Sequence, residues 1–206
     1  MFLSRVRIFA ALIAAASMTP AAYAADGAPA AQSEDAKAAK AIAFAESLID
    51  EASVTLSDAS LSEDERHSKF QGFLAEKMDL EFISKIVLAK RYRSEMSDAQ
   101  SARYDAAFPG YMTRIYANQF NKIFGKPYTV VGSHPASRGD ILVDTDFETG
   151  EHKTLNVVWR IRDIEGENKI VDIIVQGGSI ITLKREEFSS FVENNGVDLL
   201  LEEIEK

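Results

Sequence analysis

From Ala36 to Leu56 the apolar residues Ile42, Ala45, Ile49, Ala52 and Leu56 recur at steps of three and four, with Lys37, Lys40, Glu46 and Asp50 between them. That period marks one buried face of a helix. Ser62 followed by Glu65 is a capping-box pattern, and it opens a second helix carrying Phe70, Phe73 and Leu74. Asp79 starts a short third helix with Phe82, Ile83, Ile86 and Val87, and Ser97 with Gln100 marks a further helix start.

That next helix, read from Asp98 to Phe124, has two apolar stripes. One runs Tyr104, Phe108, Tyr111, Ile115, and the other Met112, Tyr116, Phe120, Ile123. A helix lying on a core needs a single stripe. Two stripes imply a helix surrounded by protein, or one with core on one side and a cavity on the other. Pro109 is placed to kink it, and Gly125 with Pro127 ends it.

Beyond Pro127 the period changes to two. Tyr128 to Ser133, Asp140 to Glu148, Lys153 to Arg162 and Lys169 to Gln176 read as four strands separated by short turn-rich segments. Short links favour an antiparallel meander, because parallel neighbours need long crossovers. Leu155, Val157, Trp159 and Ile161 alternate with Asn156, Val158, Arg160 and Arg162, giving that strand one apolar face. The fourth strand is apolar on both sides, which suits a central or doubly covered position. Two helices close the chain, about Leu183 to Glu193 and Asp198 to Glu205. Helices, a strand run and helices again make an α+β domain in which helices cover one face of a four-stranded antiparallel sheet.

The first residues change where this domain is expected to work. Arg5 and Arg7 precede the apolar run Ile8 to Ala16, and Ala22-Tyr23-Ala24 supplies the small residues of a signal-peptidase site. Residues 1–24 therefore read as a signal peptide, 25–35 as a disordered leader rich in Ala, Gly and Pro, and 36–206 as one domain. Removing residues 1–24 takes away Arg5 and Arg7 and no acid, so the formal charge of −9 becomes −11. Such a surface repels nucleic-acid phosphates and disfavours lasting adsorption to anionic membranes. No nucleic-acid partner is expected, and membrane contact only transiently.

Little in the chain suggests catalysis. It has no cysteine, no Gly-x-Ser-x-Gly elbow, no phosphate-binding glycine loop, and His67, His134 and His152 have no close ligand spacing. Asp144, Asp146 and Glu148 share one strand face and read as a solvated surface rather than a cation site. Asp79 and Asp172 read as caps or salt-bridge partners. The stronger signal is 12 Phe and 6 Tyr, many on inward helix faces. An acyl chain buried among them would gain ~0.8 kcal/mol per methylene.

Two blocks carry a family resemblance. The first is Asp79-Leu80-Glu81-Phe82-Ile83-Ser84-Lys85-Ile86-Val87-Leu88-Ala89-Lys90-Arg91-Tyr92-Arg93 with Ser97 to Gln100. The second is Val158 to Ile161, Asp172 to Ser179, Arg185-Glu186-Glu187-Phe188 and Gly196-Val197-Asp198-Leu199-Leu200. In order and spacing they resemble the MlaC-type periplasmic phospholipid-binding proteins, also called toluene-tolerance or Ttg-type auxiliary components of ABC lipid transport systems. The likeness runs from about Ala36 to Ile204. Departures are Ala89 for the usual Gly, Tyr92 for Trp, Gln176 for Glu and Gly178 for a branched residue.

The resemblance implies a twisted sheet and helices in an NTF2-like, cone-shaped enclosure around an apolar lipid cavity. It implies a monomeric periplasmic carrier without catalysis, cofactor or metal. Such a carrier shuttles phospholipid between an outer-membrane lipoprotein complex and an inner-membrane MCE-domain ABC transporter, maintaining outer-membrane lipid asymmetry. A sister branch makes hopanoids the alternative cargo, and a filled-core adaptor is the non-lipid alternative. By position, tail contacts are expected from Phe82, Ile86, Tyr92, Tyr104, Phe108, Tyr111, Ile115, Val157, Trp159, Ile173, Val175 and Phe188. Headgroup or partner contacts are expected from Arg91, Arg93 and Arg160.

Overall fold

The computed structural model describes residues 28–120, 123–150 and 153–206. The expected signal peptide, residues 25–27 and His152 lie outside the described residues.

Helix α1 (Ala28–Ser57) starts upstream of Ala36 and so runs through residues 28–35 of the expected leader. Three of those eight residues are alanine, the best intrinsic helix former. Residues 33–37 are exposed, and burial sets in at Ala41. From there Ala41, Ala45, Leu48, Ile49 and Ala52 are buried, the small alanines allowing close approach to the first two strands. Helix α2 (Glu63–Lys77) has the expected capping box: Ser62 Oγ accepts the Glu65 N–H, and Glu65 Oε2 accepts the Ser62 N–H at 2.8 Å. Ser62→Ala is expected to cost about 1 kcal/mol, read as a lower urea midpoint at unchanged slope.

Asp79 caps α3 (Leu80–Val87) by accepting the Phe82 N–H at 3.0 Å. A four-residue helix α4 (Lys90–Arg93) follows, and then α5 (Asp98–Phe120), whose first turn is fixed by reciprocal Ser97 and Gln100 bonds. Pro109 lies inside α5, and the Thr113 hydroxyl donates to the carbonyls of Pro109 and Gly110. Of the two apolar stripes, Tyr104, Phe108, Tyr111, Met112, Tyr116 and Phe120 are buried and Ile115 is half-buried, while buried Ile123 lies past the end of α5. The helix is packed by α2, α3 and α7, while Arg103, Asp105, Ala106 and Gly110 leave it one exposed side.

The sheet has five antiparallel strands in sequential order: β1 (Tyr128–Pro135), β2 (Ile141–Gly150), β3 (Lys153–Ile164), β4 (Glu167–Val175) and β5 (Gly178–Ser179). The expected count of four is corrected to five. A two-residue strand has no hydrophobic period to read, and β5 forms only because the Gln176-Gly177 turn folds it back on Ile174 and Val175. The central strand is β3, not β4. The edge of β4 is covered instead, by β5 at one end and at the other by the Met78–Asp79 link, whose Asp79 N–H donates to Ile170 O at 2.9 Å.

Helices α6 (Ile180–Asn195) and α7 (Val197–Ile204) complete the domain. They are joined by Gly196 at φ 84°, a conformation that favours glycine. The product is one α+β domain, its helices packed on one sheet face over Val143, Phe147, Val157, Trp159, Ile161 and Ile173.

Candidate functional site

The inward face of β2 and β3 meets the C-terminal half of α5 around Trp159. Its ring lies 6.2 Å from Phe120 and 6.3 Å from Phe124, centroid to centroid, and Phe124 also meets Phe70 and Phe147 edge-on. Burying an indole requires a partner for its N–H. Here Nε1 donates to Thr145 Oγ1 at 2.9 Å, and that hydroxyl donates on to Val157 O at 2.8 Å.

A second aromatic group lies where the N-terminal half of α5 meets α6. Tyr104 and Phe108 are 5.3 Å apart, Phe108 and Phe188 6.3 Å, and Tyr111 and Phe188 5.6 Å. The Tyr104 hydroxyl donates to Ser84 O at 3.1 Å, and burial holds its phenol in the neutral form well above the ordinary tyrosine range. Tyr104→Phe is expected to cost about 1 kcal/mol in urea unfolding, the worth of one buried hydrogen bond, since Ser84 O keeps the Leu88 N–H as a donor.

The residues expected to contact lipid tails fall in one contiguous core. Tyr92, Tyr104, Phe108, Tyr111, Val157, Trp159, Ile173 and Phe188 are buried, while Phe82, Ile86, Ile115 and Val175 are half-buried against them. In the structure these side chains pack against one another. Two tyrosines reach from this core to charged groups at its rim. Tyr92 donates to Glu193 Oε1 at 2.9 Å and to Ser189 O, and accepts from Arg91. Tyr111 accepts from Lys184 Nζ at 3.4 Å, and Lys184 also pairs with Glu187 at 2.6 Å. Burial raises the Tyr111 pKa, with partial relief from Lys184. Trp159 differs, its polar atom being satisfied deep in the sheet.

The three arginines do not converge. Arg91 pairs with Glu193 beside the Tyr92 ring, and Arg93 pairs with Asp105 at 2.8 Å over Tyr104. Arg160 lies on the other face of the sheet from Trp159 and belongs to a cluster that periodicity alone does not reveal. Asp140, with no exposed surface, accepts from Arg160 Nε at 2.7 Å and from Arg162 Nε and Nη2 at 2.6 and 2.8 Å. Burial opposes its ionisation, but the hydrogen bonds and charges of Arg162 and Arg160 outweigh that and hold its pKa below the ordinary aspartate value. The one available signal was the i, i+2 arginine pair on β3.

These arginines wall a cleft of about 270 Å³ between α3, the β1–β2 turn, β4 and the start of α6. Asp172 lines it as well, capping rather than salt-bridging: it accepts from Ser179 Oγ at 2.7 Å and from the Ile181 N–H at 3.3 Å. Burial raises the pKa of Asp172. On the exposed side of β2, Asp144 faces His134 Nδ1 at 3.3 Å and Asp146 accepts from Asn156. Among the described residues no group of three or more His, Cys, Asp or Glu is arranged to hold a metal ion.

The family model described as MlaC protein matches residues 46–206. Among solved structures, the fold is similar to that of a phospholipid-binding protein from Ralstonia solanacearum, solved in complex with a phospholipid. The TM-score is 0.64 at 14% identity, over 79% of this chain and 93% of that one.

Proposed function

Given that the chain belongs to the MlaC protein family, we propose that it is a periplasmic carrier of phospholipid whose acyl chains insert between the sheet and helices α3, α5 and α6. The family match carries this reading. It is supported by the likeness in fold to a protein solved with phospholipid bound, and by the convergence of the expected tail contacts on one aromatic-rich core. In this reading the cone-shaped cavity opens when lipid arrives, as rings such as Phe108, Tyr111 and Phe188 part from one another. Tyr92 and Tyr111 then sit at the rim with their hydroxyls toward water.

The carrier performs no chemistry. Its task is to shield apolar tails, and at ~0.8 kcal/mol per methylene a diacyl lipid offers ample driving force to separate packed helices. Shuttling between an outer-membrane lipoprotein complex and an inner-membrane MCE-domain ABC transporter, as a monomer, belongs to the same proposal, as does a role in outer-membrane lipid asymmetry. The close mutual packing of the core favours one second reading, an adaptor whose core is permanently filled.

Transfer of a tail-labelled phospholipid from donor to acceptor vesicles separates the two. A carrier accelerates transfer in proportion to its concentration, whereas no acceleration by the folded chain would favour the adaptor.

A further inference from the structure

The cleft beside Arg160 combines two chemistries. Phe82 and Ile86 of α3 form its apolar side, and both are half-buried against the main core, so this side is continuous with the region proposed for the tails. Arg138, Arg160 and Arg162 form its polar side, and the Arg162 guanidinium lies 4.2 Å from the centre of the Phe82 ring, where the two sides meet.

The charge of the cleft runs against that of the chain. The lining carries three guanidinium groups and one carboxylate, Asp172, in a chain of net charge −9, while Asp140 lies beneath the arginines and Asp79, at the α3 cap, acts on Arg162 from beside the cleft. These carboxylates are already committed, Asp79 to the Phe82 N–H. Asp140 is wholly buried beneath the two arginines, and Asp172 accepts from Ser179 and the first turn of α6. The contacts to Asp140 use Nε of Arg160 and both Nε and Nη2 of Arg162, while Arg160 Nη2 turns to Ser137. The Nη1 atoms of both arginines take no part in these contacts. Arg138 is exposed in the turn between β1 and β2 and has no ion pair among the described residues. The helix N-terminus is not the anion site, since Ser179 and Asp172 already take the amides of Thr182 and Ile181.

We propose that this cleft receives the phosphodiester of an anionic phospholipid headgroup, with the tails passing between α3 and α6 into the core. The inference rests on the carrier reading and deepens it to a headgroup preference. A planar guanidinium donates paired hydrogen bonds to phosphate oxygens, and Arg162 is held rigidly for this by Asp140. A headgroup with no cation of its own suits this basic lining. A zwitterionic headgroup brings an ammonium up to three guanidinium groups and is disfavoured.

The test loads the full lipid-free chain from vesicles of equal parts phosphatidylglycerol and phosphatidylethanolamine and quantifies the bound lipids by mass spectrometry. The expected result is enrichment of phosphatidylglycerol by roughly fivefold, the scale of one exposed charge pair. Arg138→Glu is expected to abolish the enrichment. Arg185→Glu, the same charge change at an exposed α6 position outside the cleft, is expected to keep it. In parallel, the Nε–Hε resonances of Arg160 and Arg162 are followed during titration with phosphatidylglycerol and, separately, with inorganic phosphate.

Equal loading of both lipids by the unaltered chain would overturn the headgroup assignment and leave the carrier reading intact. No loading of either would remove both. Equal loss in the two variants would reduce the preference to general surface charge and overturn the assignment, as would arginine resonances that respond to inorganic phosphate and not to the lipid.

Discussion

Trp159→Ala is expected to destabilise the folded chain by about 3–5 kcal/mol, the largest effect expected of any single side-chain truncation in the core. The indole is buried to 1% exposure and packs against Phe120 and Phe124, the first held by Tyr116 and the second by Phe70 and Phe147. Surroundings of large rings on regular elements cannot collapse into the space, so a cavity cost adds to the lost burial. The Thr145 hydroxyl keeps its own acceptor, Val157 O, so the loss of the indole N–H is the smaller part. Urea unfolding followed by circular dichroism checks the value. Trp159→Phe, which keeps most of the volume, should recover more than half of the loss. A Trp159→Ala loss under about 1 kcal/mol would mean that the ring is not packed as described.

Asp140→Asn is expected to lower stability at neutral pH by about 2–3 kcal/mol, less than the full cost of orphaning a buried charge. The lesser figure follows because the Arg160 and Arg162 side chains keep 28% and 18% of their exposure and can recover water. The substitution also has a pH signature. The folded-state pKa of Asp140 lies below its ordinary value, despite burial, because Arg162 and Arg160 favour the carboxylate. Its contribution is therefore fully present above the unfolded-state value, about 4, and is lost as pH falls through the depressed folded-state value. The gap in urea midpoint between the parent and Asp140→Asn should be wide at neutral pH and should narrow below about pH 4. A gap that stayed constant through acid would place the effect outside this carboxylate's ionisation.

The helices and the meander were legible because each carries its own period or cap. Ser62 with Glu65, Asp79, and Ser97 with Gln100 all cap as their residue types imply. The inward face of β3, from Val157 through Trp159 to Ile161, followed from alternation alone. Elements with no period were missed, namely β5 and α4, of two and four residues. So was the Asp140 cluster, since Asp140 and Arg162 are 22 residues apart and meet only once β2 and β3 are in register. For the fourth strand a central or doubly covered position was legible but not which, because apolar residues on both sides of a strand do not say whether a strand or a helix link lies beside it. The expected tail contacts do share one core, but periodicity marks only the inward direction of a side chain. Whether lipid parts those side chains depends on the relative free energies of two packings, which no spacing of residues encodes.

Native mass spectrometry of the protein isolated from its own periplasm, with extraction and identification of the bound species, tests the carrier reading most directly. A stoichiometric phospholipid adduct is the expected result. A hopanoid in its place would change the cargo, whereas an empty folded chain that also takes up no lipid from vesicles would contradict the carrier reading and make the filled core its permanent state.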